Sequence, residues 1–208
     1  MVPRSIFPYS REGVWKTDYT LYIDEAVSLL DEYNKYLDHL NKLKQSVPKD
    51  EHEKDAYYFE TVDPQQAVVY MSYVKLTLMC CMSIEAFLNY YGVKRLGGKY
   101  YDDNIERLNP IRKINILIAI CFQEVNREHP EAINEIKNLF NVRNAFVHPT
   151  TKEYKISDIS EKPQLFAPRI FTYETGAKMI NSLRMFLEWF KEHDPEIDLN
   201  YELTNLQI

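Results

Sequence analysis

The feature that most constrains this chain is the run from Val68 to Leu88, which is apolar on nearly every side when wound as a helix. Met71, Val74, Leu78, Cys81, Ile84 and Leu88 recur at helical spacing, with Glu85 set among them. A helix of this kind cannot stand at a surface, so other helices must cover it. Asp63 is a suitable N-cap, and Pro64 fits the first helical position, where its missing N–H is not needed. The helix is expected to reach Val93, about thirty residues and about 45 Å long at 1.5 Å per residue. Gly92, Gly97 and Gly98 mark its exit. Its most apolar part, 67–82, is broken by Lys75 and reads as too short to span a bilayer, so no membrane association is expected.

The rest of the chain supplies partners for that helix. Leu29, Leu30, Tyr33, Leu37, Leu40 and Leu43 place a first helix over 24–44, with Asp24 as its cap. Residues 48–60 are polar and read as a solvated loop, as does 97–103 with its paired Tyr and Asp residues. Further helices are expected over 110–127, from Pro130 to the stop at Pro149, and over 175–192. The apolar groups scattered between Tyr154 and Phe171 leave room for a small β-hairpin at about 153–172. Four or five helices with short connections make an all-α, up-and-down bundle. A chain of 208 residues fits one domain, with its core over about 65–190 and the 24–44 helix packed on it. The scarcity of Gly, five residues, agrees with helices rather than a sandwich or barrel.

A net charge of −6 argues against a protein that coats nucleic acid through bulk charge, but leaves room for a local basic cleft. Cys80, Cys81 and Cys121 suit neither a zinc pair nor a disulfide framework. They read as buried, reduced thiols of a cytoplasmic protein. The N-terminal residues carry Arg4 and Arg11 without a long apolar run, unlike a signal peptide. No phosphate-binding Gly-rich loop, HExxH or GxSxG is present, and no two His lie three or four apart. Neither a cofactor nor a metal site is expected.

What remains is Arg143-Asn144-Ala145-Phe146-Val147-His148-Pro149. In regular helix, five residues separate Arg143 from His148 by about 7.5 Å and about 140°. Pro149 disfavours the α conformation at His148, so its ring is expected to leave the helix and swing back toward Arg143. A permanent guanidinium beside an imidazole suits phosphodiester cleavage. The imidazole can move a proton at an attacking 2′-hydroxyl or leaving oxygen, while the guanidinium stabilises the phosphoryl oxygens. The plainer reading is a cation at a helix C-terminus, where the dipole favours it. Glu85 adds weight to the first. A buried carboxylate in the most apolar helix needs a partner, and Arg143 is one candidate; otherwise Glu85 faces a solvent slot or pairs with Lys75 or another base.

At these residues the chain resembles the HEPN family, helical nucleotide-binding domains of prokaryotes and higher eukaryotes. Met82-Ser83-Ile84-Glu85-Ala86-Phe87-Leu88-Asn89-Tyr90-Tyr91-Gly92 is similar to that family's core helix with its acidic residue. Arg143-Asn144 through His148-Pro149 is similar to its motif of Arg, a polar residue and a His at a helix end. Leu108-Asn109-Pro110-Ile111-Arg112-Lys113 is similar to the usual connection between them. The resemblance implies a bundle that dimerises around a shared cleft. It further implies a metal-independent endoribonuclease acting on RNA, of a toxin–antitoxin or phage-defence kind. His148 would be the acid/base, Arg143 the phosphate-binding cation, Asn144 a polar helper and Glu85 the residue that orients Arg143. An antitoxin or other partner protein would accompany such a toxin. The alternative is a non-catalytic module that binds a nucleotide, an RNA or a partner protein. The best other basic group, Lys94, Arg95 and Lys99, reads as part of a solvated loop.

Overall fold

The computed structural model describes residues 19–122, 131–148 and 171–207. These are almost wholly helical, with no strand among the described residues, so the fold is all-α. Helix α1 is Tyr19–Gln45, α2 is Glu51–Tyr57 and α3 is Asp63–Leu96. They are followed by α4 (Gly98–Asn104), α5 (Pro110–Leu117), α6 (Glu131–Val147), α7 (Tyr173–His193) and α8 (Asn200–Asn205). The hairpin expected at 153–172 falls almost entirely outside the described residues.

Helix α3 is the axis, as its apolar circumference demands. It packs against α1, α4, α5, α6 and α7. Ring contacts fix the directions. Tyr33 meets Tyr73 while Tyr19 meets Phe87 and Tyr90, so α1 runs antiparallel to α3. Phe146 meets Tyr73 and Tyr70, and the Cys81 thiol donates to the Leu139 carbonyl at 3.9 Å, so α6 is antiparallel as well. Thr77 donates to the Met179 sulfur, and Phe87 meets Phe186 and Phe190, so α7 runs parallel to α3. These four helices form an up-and-down bundle with Phe87, Tyr91, Phe186 and Phe190 in its centre.

Several boundaries differ from the sequence reading. Helix α1 is already formed at Tyr19, so Asp24 lies inside it and is not its cap. The Asp24 carboxylate instead accepts from Asn205 Nδ2 at 2.8 Å and from the Tyr201 hydroxyl, tying α8 to α1. Residues 51–57 are not loop. Asp50 caps α2 by accepting from the His52 and Glu53 amides. Nor does Asp63 start a helix: α2 runs through a widened π-type turn at Tyr58–Val62 straight into α3. There the Asp63 N–H reaches back five residues to the Tyr58 carbonyl. Such a turn makes room for a proline ring, which otherwise collides with the carbonyl four residues earlier. Pro64 therefore sits inside one continuous helix.

That helix, Glu51–Leu96, is long and apolar enough to cross a membrane by length and composition alone, a test that the central helix of a bundle also passes. Half of its apolar window is buried within the bundle. Gly92 does not mark its exit. A Cβ there would lie 2.2 Å from Tyr101 Cε2, so the absent side chain lets α4 lay the Tyr101 ring on α3. The helix stops at Gly97, whose φ of 82° few other residues adopt. The 97–103 segment is therefore helix α4 rather than loop.

Asn109 caps α5 by accepting from the Arg112 amide at 3.0 Å, with Pro110 at the first position. A second π-type turn, Ile118–Phe122, carries α5 on, and 123–127 lie outside the described residues. Thr172 caps α7 through the Thr175 amide, and the Tyr33 hydroxyl holds the Thr172 carbonyl at 2.9 Å. Helix α8 was not foreseen. All three cysteines are buried and free.

Candidate active site

Asn144 opens the last turn of α6, Arg143 lies just before it, and His148 directly follows the helix. Arg143 is half-buried; Asn144 and His148 are exposed. The His148 amide still donates to the Asn144 carbonyl at 2.9 Å, so the helical bonding continues to this residue. That continuation keeps the motif close to helical register, with Arg143 turned toward α3 and His148 toward solvent. Among the described residues no hydrogen bond joins the His148 ring to Arg143. The guanidinium is held instead by its neighbour, Arg143 Nη1 donating to Asn144 Oδ1 at 3.0 Å.

Cys81 reports what lies beneath Arg143. Burial pushes its thiol pKa upward, with Cys80 and Glu85 adding to the rise and the Arg143 guanidinium opposing it. Glu85 and Arg143 thus both reach the field around Cys81. They do not meet: among the described residues no ion pair joins them. Four residues apart, Cys81, Glu85 and Asn89 form one ridge of α3 facing α5 and α6.

The base near Glu85 that the sequence reading left unnamed is Lys113 of α5. It is 6% exposed. Its Nζ donates to Asn89 Oδ1 at 2.7 Å, an oxygen that also accepts from the Tyr101 hydroxyl at 2.7 Å. Burial draws the Lys113 pKa below the ordinary lysine value, and the carboxylates of Glu85 and then Glu106 push it back. Lys113 belongs to the quoted 108–113 connection, but its burial is a consequence of Tyr101 docking on Gly92. No pattern local to 108–113 signals that.

Arg95 is a clearer correction. It lies on α3 and is 2% exposed, not in a solvated loop. Its Nε donates to Asp194 Oδ2 at 2.6 Å, its Nη2 to Asp194 Oδ1, and its Nη1 to Glu196 at 3.1 Å. The Tyr91 hydroxyl donates to Asp194 Oδ2 at 2.9 Å. Arg95 is therefore bound into the core and cannot share a nucleic-acid surface with Lys94 and Lys99.

Two other surfaces flank the motif. A cavity of about 290 Å³ opens between α6 and α7, with Tyr73, Leu139, Val142 and Met179 among its apolar walls and the Lys178–Glu135 ion pair across it. Neither Arg143 nor His148 lines it. On the outer flank of α3, Val68, Met71 and Met82 are 39%, 52% and 37% exposed. At about 100° per residue, Met71, Leu78 and Met82 fall within about 40° of one another, beside the ridge that carries Glu85. No family model, curated protein or solved structure matches the chain.

Proposed function

We propose that the protein is a HEPN-type, metal-independent endoribonuclease of the cytoplasm, acting as a toxin or phage-defence effector. The observation that carries this reading is a half-buried Arg143, held by Asn144 and joined to no carboxylate among the described residues, within the same six residues as an exposed His148. An unpaired guanidinium braced by an amide is suited to a phosphate. An exposed imidazole can approach the 2′-hydroxyl or the leaving oxygen once RNA is seated. In this mechanism Arg143 takes the non-bridging oxygens, Asn144 fixes the guanidinium plane, and His148 moves the proton. The 2′-hydroxyl attacks the phosphorus, the 5′-oxygen leaves, and a 2′,3′-cyclic phosphate results.

The exposed stripe of Val68, Met71 and Met82 supports a homodimer. It would seat a second copy on the flank next to Arg143, so that two motifs share one cleft. An antitoxin or other partner protein would then cover that cleft.

The test is an RNA carrying one 2′-deoxy residue at a mapped cleavage position. Cleavage of the all-ribo strand, a cyclic phosphate on the product and no cleavage of the deoxy strand are expected. Equal cleavage of both would rule out the mechanism. The second reading, a module that binds RNA, nucleotide or protein without cutting, is favoured by one observation: among the described residues no hydrogen bond joins the His148 ring to Arg143. Binding of the RNA with no cleavage, in protein shown to be folded, would select it.

A further inference from the structure

We propose that Lys113 is a positioning residue: it is the counter-charge of Glu85, and by holding that carboxylate's field it leaves Arg143 free to take a phosphate. The inference rests on the ribonuclease reading and changes one part of it, since Glu85 is then not the residue that orients Arg143.

The geometry is that of a charge set drawn from five segments around one nearly buried ammonium, with Glu85 and Arg143 half-buried and Glu106 and Asp102 exposed. Helix α3 supplies Glu85 and, one turn earlier, Cys81. Helix α5 supplies Lys113, the turn before it Glu106, α4 Tyr101 with Asp102, and α6 Arg143. Lys113 is fixed, not free to wander. Asn89 Oδ1 accepts from its ammonium, the ammonium stands 5.9 Å from the Tyr101 ring centre, and Tyr101 is itself clamped against Gly92. Among the described residues this nearly buried ammonium bonds to neutral groups, and such a charge needs a carboxylate in its field. Glu85, one turn before Asn89 on the same ridge, is the first of the two whose charge it feels, Glu106 being the second.

Two cations therefore compete for Glu85, Lys113 from α5 and Arg143 from α6. Lys113 is the more deeply buried, so its need for the anion is greater. Arg143 is left with Asn144 alone among the described residues. If the ammonium is removed, the half-buried carboxylate has one cation left to draw in, and Arg143 turns from the phosphate to Glu85.

The experiment measures binding of a single-stranded 2′-O-methyl oligoribonucleotide, which cannot be cleaved through its 2′ position, by fluorescence anisotropy. Lys113→Met is expected to weaken binding about tenfold, the scale of one charge-assisted hydrogen bond. Adding Glu85→Gln to Lys113→Met is expected to restore binding to within about twofold, because no carboxylate then captures Arg143. Lys113→Arg keeps the charge and is expected to bind as the wild type does. A merely structural lysine would lose stability on substitution, and Glu85→Gln would not rescue binding. Unchanged binding by Lys113→Met, or a loss that Glu85→Gln does not reverse, overturns the proposal.

A second measurement decides the matter if Lys113→Met does not fold, or if the wild type binds no RNA and the ribonuclease reading itself fails. It is the Arg143 Nε–H resonance of the wild type. A signal broadened by rapid exchange is expected of an unpaired guanidinium. A sharp, protected signal that disappears in Glu85→Gln shows Arg143 already paired with Glu85, and overturns the proposal.

Discussion

Asp194→Asn removes one charge from the most enclosed ion pair among the described residues. Asp194 is 0% exposed and accepts from Arg95 through both oxygens, with the Tyr91 hydroxyl sharing Oδ2. The substitution preserves shape but removes the carboxylate charge that faces the Arg95 guanidinium, which is 2% exposed. It also turns one acceptor into an amide that faces guanidinium donors. Breaking a buried pair from one side costs about 3–5 kcal/mol, mostly the penalty of the abandoned charge. Glu196 still accepts from Nη1, but its side chain is 61% exposed and much of its field is screened by water. A loss near the lower bound, about 3 kcal/mol, is therefore expected. With an unfolding slope of about 3 kcal/mol per molar urea, the midpoint drops by about 1 M. Urea melts followed by circular dichroism measure it. Asp103→Asn breaks the exposed Lys99–Asp103 pair and serves as the control, with a change within about 0.5 kcal/mol. A loss from Asp194→Asn no larger than the control's would refute the reasoning, because Arg95 and Asp194 would then be behaving as a hydrated surface pair.

Other outcomes follow from the same structure. Gly92→Ala puts a methyl group 2.2 Å from Tyr101 Cε2 and should cost about 1–3 kcal/mol, read as a lowered Tm and increased Tyr101 fluorescence quenching by solvent. The buried thiols predict an alkaline loss of stability. Burial raises Cys80 and Cys121 from 9.0 to about 12, so the folded state keeps protons that the unfolded chain releases. Their contribution is full below pH 9 and is lost as pH rises toward 12, by about 1.4 kcal/mol per thiol at pH 10. Lys113, lowered by burial, works in the opposite sense as a single group. Urea melts at pH 8 and 10 measure the net fall, and Cys80→Ala should shrink it. Met82→Glu places a charge in the exposed stripe. It should turn a dimeric wild type into a monomer by sedimentation equilibrium, whereas a wild type that is monomeric at tens of micromolar contradicts the shared cleft.

The central helix and its partners were legible because burial imposes periodicity. Leu30, Tyr33, Leu37 and Leu40 of α1 and Ile133, Ile136, Leu139 and Phe140 of α6 are buried, as their spacing requires. The boundaries around 51–63 were not legible. Asp63-Pro64 carries a helix-start signal, and only the widened turn before it lets a proline lie within a continuous helix. The short helices α4 and α8 were missed because they are held by tertiary contacts, Tyr101 on Gly92 and Asn205 on Asp24, that no local pattern encodes. At the site, the sequence singled out Arg143, Asn144, His148 and Glu85, and it left Glu85 to a solvent slot or to a base; Glu85 is half-buried, and among the described residues no ion pair joins it to a base. It could not choose between Arg143, Lys75 and a third base. Lys75 proves exposed, and the cation whose field meets Glu85 is Lys113, from a segment whose burial depends on how α4 folds back.

The measurement that tests the account most directly is incubation of the purified protein with mixed structured and single-stranded RNA in EDTA, beside His148→Ala and Arg143→Ala. Cleavage by the wild type, with a loss of about a hundredfold or more in each variant, is the predicted result. Absence of cleavage by the folded wild type, or cleavage that survives both substitutions, would contradict it.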